Sequence, residues 1–134
     1  MKISTVYACV GLISETIASL PLVIYQWLEN EEGRQRARNH PLYSVLHDQP
    51  NDSQTAFEFV QMLEAHALLR GSGYAYIRGG ARGFADQLIP IHPDQVQKER
   101  LSNGRFRYVV TDERGRRPVN AEDILRWEAC RWMA

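Results

Sequence analysis

After Gly71 the prevailing apolar period of this chain changes from 3.6 to 2, and that change limits the possible folds more than any other feature. Before it, apolar side chains recur every three or four residues, the spacing of a helix face; after it they recur every second residue, the spacing of a strand. Helices first and antiparallel strands afterwards predict an α+β domain, with N-terminal helices packed on one face of a mainly antiparallel β-sheet. Parallel crossover units are not indicated. At 134 residues the chain is long enough for one working core and too short to build two comfortably.

Val6, Cys9, Val10, Ile13, Ile17 and Leu20 mark one face of a first helix that opens near Ser4 or Thr5 and is ended by Pro21. Leu22 to Leu28 is β-branched and aromatic on both faces and reads as a well-covered strand. Glu29 to Asn39 reads as a charged loop, with Asn39 capping a short helix whose first turn holds Pro41 and whose buried side is Leu42, Val45 and Leu46. Asp48 to Asp52 is a turn. In the next helix Thr55 and Glu58 have capping-box spacing, Phe59, Leu63 and Ala67 form the stripe, and Gly71 is placed to end it in the left-handed conformation.

Beyond Gly71, Tyr74 to Arg78 and Phe84 to Ile91 alternate as strands on either side of a Gly79-Gly80 turn. Asn103-Gly104 between Gln95 to Leu101 and Arg105 to Thr111 predicts a two-residue hairpin of the primed type. Asp112 to Gly115 is a second turn, and Pro118 to Trp127 fits either a strand or a short helical turn leading into Asp123, Ile124 and Leu125.

Sixteen basic and sixteen acidic side chains cancel, so the chain has no global positive field with which to hold a phosphate backbone. Fourteen of the basic residues are Arg, whose planar fork suits interface ion pairs as well as phosphate. Cys9 and Cys130 lack the spacing of a metal clip or a disulfide framework and suggest a reduced compartment. The apolar segment from Ile3 is interrupted by Ser14, Glu15, Thr16 and Ser19, which argues against a signal peptide or a membrane span.

Residues that could carry chemistry do not assemble into a motif. His40, His47, His66 and His92 invite a metal hypothesis, with Asp48 and Asp94 beside two of them, but none has the paired spacing that puts two ligands on one helix face. Glycines at 71, 73, 79, 80 and 83 imitate a phosphate loop, yet strands flank them and no Lys-Ser or Lys-Thr follows. Ser44 and Ser53 lack the glycine-flanked turn of a nucleophile elbow. Two basic sets, Arg34, Arg36 and Arg38 beside Asn39, and Arg105, Arg107, Arg114, Arg116 and Arg117, read as solvated or interface faces before they read as nucleic-acid contacts. Alternation sets Arg105 and Arg107 on the face opposite Phe106 and Tyr108. The aromatic pairs Tyr25 with Trp27 and Tyr74 with Tyr76 read as core before they read as base-stacking platforms. No catalytic residue, cofactor or metal is expected.

The order of the landmarks resembles the portal proteins of long-tailed bacteriophages, from Ile3 to about Trp127. Val6-Tyr7-Ala8-Cys9-Val10 and Ile17-Ala18-Ser19-Leu20-Pro21-Leu22 are similar to that family's first helix and the strand after it. His40-Pro41-Leu42, Pro50-Asn51 and Thr55-Ala56-Phe57-Glu58-Phe59 follow in order. Leu68-Leu69-Arg70-Gly71-Ser72-Gly73-Tyr74-Ala75 is similar to the family's leucine-rich helix end and Gly-Asn-Ala-Tyr strand entry, with Ser72 where Asn is usual, and Leu88-Ile89-Pro90-Ile91, Pro93 and Asp123-Ile124-Leu125 complete the series.

The resemblance implies a non-catalytic structural subunit of a dodecameric ring at one capsid vertex, through which a terminase motor threads DNA and on which tail proteins dock. This region corresponds to the outer wing of such a subunit. The implied partners are other portal subunits, terminase, capsid and head–tail adaptor proteins, with DNA passing through the intact ring and no membrane involved. The implied location is the virion's portal vertex for the intact protein and the host bacterial cytoplasm for this piece alone. Residues 1–127 are expected to form the wing-like domain and 128–134 an atypical tail. Its residues Glu128 to Ala134 are permitted by codons GAG GCC TGT CGA TGG ATG GC, which two bases out of frame read Gly-Leu-Ser-Met-Asp-Gly, as in the family's next segment; a frameshifted prophage gene or a deliberate truncation would produce it. The stem and clip of the family are missing from the sequence, so exposed apolar surface and weak self-association are expected. Two rivals stand beside this reading: a truncated, prophage-encoded interaction module affecting portal assembly, and a metal-dependent nucleic-acid enzyme using the histidines and aspartates above.

Overall fold

A computed structural model describes residues 3–28, 33–80 and 83–129. Among the described residues three α-helices lie before Gly71 and six of the eight strands after it, as the change of period predicts; the other two strands form a separate ribbon.

Helix α1 (Ile3–Ala18) stops short of Pro21 and packs on helix α3 (Ala56–Arg70). Its buried face differs from the expected stripe: Ser14 and Ala18 are buried and Val10, Gly11 and Ile17 half-buried, while Val6, Cys9, Ile13 and Leu20 are exposed. The reason is the partner. A helix that packs on another helix approaches most closely through small residues, and Gly11, Ser14 and Ala18 provide that seam; the Ser14 hydroxyl is satisfied by donating to the Gly11 carbonyl at 3.0 Å.

Strand β1 (Tyr25–Trp27) is short and exposed, which corrects the expected covered strand from Leu22 to Leu28. Its one partner is β2 (Arg34–Arg36), inside the segment read as loop, and a two-stranded ribbon has no further sheet to bury its faces. Helix α2 (Pro41–His47) buries Val45, as expected, but its N-cap is His40, whose Nδ1 accepts the Leu42 N–H at 3.2 Å, and not Asn39.

Thr55 and Glu58 form the capping box at the start of α3, and the Thr55 backbone N–H and hydroxyl hold the Glu58 carboxyl below its usual range. Gly71 ends the helix at φ 86°, its N–H donating to the Ala67 carbonyl at 2.8 Å. Phe59, Leu63 and Ala67 point inward as predicted. Gly73 matters for a different reason. A Cβ there would lie 2.6 Å from the Leu63 carbonyl oxygen, so only glycine lets the next strand begin directly against α3.

That strand, β3 (Ser72–Gly79), is the centre of a sheet in the order β4-β3-β8, flanked by β4 (Ala85–Ile91) and β8 (Ile124–Glu128). Strands β5 (Val96–Arg100), β6 (Phe106–Asp112) and β7 (Gly115–Asn120) make a second sheet, so the single sheet expected is two, with every pairing antiparallel. Alternation along β3 explains the layering: Ala75 and Ile77 face a core with Phe59, Val60, Leu63 and Val45 of the helices, whereas Tyr74 and Tyr76 face Tyr108, Val110 and Val119 of the second sheet. The β5–β6 turn is not a two-residue loop. Gly104 donates to the Leu101 carbonyl and itself takes φ 80°, giving a three-residue loop that ends in a left-handed glycine. The undecided segment after Pro118 contains both alternatives in succession, the end of β7, a 3-10 turn at Ala121–Asp123, and β8. Glu128 pairs with Ser72 at the end of β8; residues 130–134 of the expected tail lie outside the described residues.

Candidate interaction surface

Three of the four histidines hydrogen-bond to their own chain neighbours, whereas His66 Nδ1 is buried without a hydrogen-bond partner. His40 caps α2, and His47 bonds Asp48 at 2.8 Å while stacking on Tyr43 at 5.0 Å. His66 of α3 and His92 after β4 meet edge to face at 5.2 Å, and His92 Nδ1 accepts the Asp94 N–H at 3.3 Å. Asp94 in turn pairs with Arg70 at 3.1 Å. Burial, and next the neighbouring His92, push the His66 imidazole below its usual range against the opposing pull of Asp94. Among the described residues no group of three or more His, Cys, Asp and Glu is gathered as a metal would require.

The glycines serve turns and close approach. Gly71 caps a helix, Gly73 admits β3 against α3, and Gly80 and Gly83 bond across the β3–β4 turn, where no helix N-terminus follows to receive a phosphate. Ser44 is exposed on α2, and the Ser53 hydroxyl donates to Asn51 Oδ1 at 2.9 Å. Asn51 is a structural device that no periodic pattern in the sequence marks. It is buried, and its Nδ2 donates to the Leu88 carbonyl at 2.9 Å, while the Leu88 N–H donates to the Pro50 carbonyl at 2.7 Å. Together these bonds clamp the Pro50-Asn51 turn onto β4. A buried amide in a Pro-Asn turn is the one signal that could have pointed to it.

The arginines of the second sheet are largely engaged within it. Arg107 pairs with Glu99 at 2.8 Å, Arg116 donates to Gln97 at 2.9 Å, and Arg117 lies 3.5 Å from Asp112 with its guanidinium over Tyr76. Phe106 is exposed beneath the Lys98 ammonium, Arg107 is half-buried, and Tyr108, Val109 and Val110 are all buried, so burial along β6 does not follow the alternation expected of it. Charges neutralised in this way leave little free field for a phosphate backbone. Tyr74 packs on Tyr108 at 5.8 Å, whereas Tyr25 and Trp27 are exposed, with the Arg34 guanidinium 4.1 Å over Trp27.

The surface feature left without a partner is apolar. Ile3 is 72% exposed, Tyr7 71% and Leu12 69%, on a helix whose one charged residue is Glu15. A groove of about 470 Å³ runs beside it between α1 and α3, from Tyr7 and Val10 to His66 and Leu69. No described helix is long and apolar enough to cross a membrane. Exposed apolar surface on this scale marks a site of association.

Comparison with known proteins agrees with the layered fold. The family model described as "Phage portal protein" matches residues 4–133. The portal protein of Enterobacteria phage HK97 is 32% identical over 91 residues, 68% of this chain and 22% of its own length. Protein BeeE of Escherichia coli strain K12 is 31% identical over 96 residues, 72% of this chain and 59% of its own length. A solved chain from the neck of an empty gene transfer agent particle, computed with C6 symmetry, shares the fold with a TM-score of 0.78 at 22% identity, covering 96% of this chain and 34% of that one. The chain thus spans less than two thirds of each of these relatives.

Proposed function

The chain belongs to the phage portal protein family, and we propose that it is the outer, wing-like part of a portal subunit, a structural element of the head–tail connector used in genome packaging. The observation that carries this reading is a family match over nearly the whole chain, on a fold that reproduces the α-on-β layering of a solved particle-neck chain. Its work is to hold neighbours in register at the portal vertex of a virion. The role is structural and not catalytic, as membership of the portal family supports. Its partners are other portal subunits first; terminase, capsid and head–tail adaptor proteins meet the intact ring, through which DNA passes. Residues 1–127 act as the folded unit, which by itself stays in the host cytoplasm. The experiment is a chimera in which residues 4–127 replace the matching segment of the HK97 portal protein. Rings seen by negative-stain electron microscopy support the proposal, and a folded chimera that forms no rings contradicts it.

A further inference from the structure

Two 3-10 turns join the sheets, Pro93–Gln95 between β4 and β5 and Ala121–Asp123 between β7 and β8. Asn120 makes no side-chain cap for the second, whereas the first is built on one ring nitrogen. His92 Nδ1 accepts the Asp94 N–H at 3.3 Å, so the neutral ring carries its proton on Nε2. The other bonds of the turn close around this cap. The Gln95 N–H donates to the His92 carbonyl at 2.9 Å, and the Val96 N–H donates to the Pro93 carbonyl.

The same nitrogen has a second partner within reach. Asp94 Oδ2 lies 3.7 Å from His92 Nδ1, too far for a hydrogen bond, and pairs with Arg70 at 3.1 Å. An imidazole takes its second proton within about pH 5 to 8. On this ring that proton goes to Nδ1, which then stops accepting and becomes a donor. The cap is lost, and the carboxylate beside it is the one that Arg70 holds. Arg70 and Asp94 are both more than half exposed, and an exposed pair is weak enough to be displaced.

The titratable and charged groups around His92 come from every element packed there. Helix α3 brings His66, edge to face at 5.2 Å, and Arg70 on the far side of Asp94. Helix α1 brings Tyr7, which lines the same groove as His66 and His92. Strands β3 and β6 also pack on the turn and bring Tyr74, paired with Ile91, and Tyr108, which packs on Tyr74. Of these groups Asp94 alone is negative.

We propose that His92 is a proton-operated latch on the corner between the sheets. Neutral, it caps the turn and leaves Asp94 to Arg70, which ties the corner to the last residue of α3. Protonated, it gives up the cap, takes the Asp94 carboxylate and releases Arg70, so the corner loosens from α3. The latch goes beyond the portal reading and does not depend on it.

The test is amide hydrogen exchange by NMR on the full chain from about pH 8 to 5.5, the span in which imidazoles charge. Each rate is divided by that of the unfolded chain at the same pH, so the intrinsic pH dependence of exchange cancels. Wild type and two variants, His92→Asn and Arg70→Gln, are each first shown to unfold cooperatively. In wild type, protection at Asp94 and Gln95 is expected to fall with pH by about two- to tenfold, the ratio that one hydrogen bond of ordinary net strength represents. His92→Asn supplies a side-chain cap that takes no proton, and its protection should stay level. Arg70→Gln removes the competitor for Asp94, so the loss should begin at a higher pH than in wild type. Wild-type protection that does not change with pH overturns the latch, as does a decline in His92→Asn equal to that of wild type. Arg70→Gln following the wild-type profile contradicts it too, because Asp94 would then not be the second partner of the ring.

Discussion

The indole N–H of Trp127 donates to Glu64 Oε2 at 2.6 Å, tying the last strand to the middle of α3 across 63 positions of sequence. Glu64 is 5% exposed, so its carboxyl depends on this donor and has little water to replace it. Trp127→Phe keeps most of the ring volume and removes the donor; it is expected to lower stability by about 1–3 kcal/mol in urea unfolding. Glu64→Gln retains an acceptor and should cost less. Equal stability of Trp127→Phe and wild type would show that the bond contributes nothing.

Gly73 and Gly79 sit at opposite ends of β3 and make opposite predictions. A methyl at Gly73 meets the Leu63 carbonyl at 2.6 Å, backbone that cannot swing aside, so Gly73→Ala should destabilise by about 1–3 kcal/mol. At Gly79 nothing lies within 4 Å, and Gly79→Ala should be neutral or slightly stabilising. Thermal unfolding of the two variants side by side reads the difference.

Asn51 joins segments 37 positions apart through its bond to the Leu88 carbonyl. Asn51→Ala leaves that buried acceptor unfilled and should cost about 1–3 kcal/mol. Amide hydrogen exchange at Leu88, whose N–H bonds Pro50, should quicken in the variant beyond the global loss of stability. Unchanged exchange at Leu88 would count against the clamp.

His66 makes stability depend on pH in a stated direction. Its imidazole takes a proton less readily in the fold than in the unfolded chain, through burial first and His92 second. As pH falls below ~6.5 the unfolded chain binds this proton before the folded one does. The stabilisation it contributes is therefore complete above that pH and is lost as pH falls through the lowered folded value. The groups facing it are His92, Asp94 and, through Asp94, Arg70. His66→Phe should flatten the decline in urea midpoint between pH 7.5 and 5.5, and an unaltered slope would assign the effect elsewhere.

What was legible in the sequence was local. The Thr55–Glu58 box, the left-handed Gly71 and the change of period are each set by residues within a few positions, so the α3–β3 junction and the α+β class could be read directly. What was not legible depends on partners distant in sequence. The buried face of α1 does not follow its apolar residues, because α3 selects a seam of Gly11, Ser14 and Ala18. Strand β2 is three polar, exposed residues whose pairing with β1 leaves no periodic signal. Division into two sheets followed from which strands met, and the Asn51 clamp from a contact 37 positions away. The exposed flank of α1 is not legible either, because the same apolar stripe fits a buried face and an exposed one.

The most direct test of the account is a cryo-electron microscopy map of rings assembled from the chimera carrying residues 4–127. The account predicts that these residues occupy the ring's outer rim, with α1, α2 and α3 covering the β4-β3-β8 sheet and the β5-β6-β7 sheet on its other side. Rings in which this segment lines the central channel instead, or a chimera that folds and never closes into a ring, would contradict it.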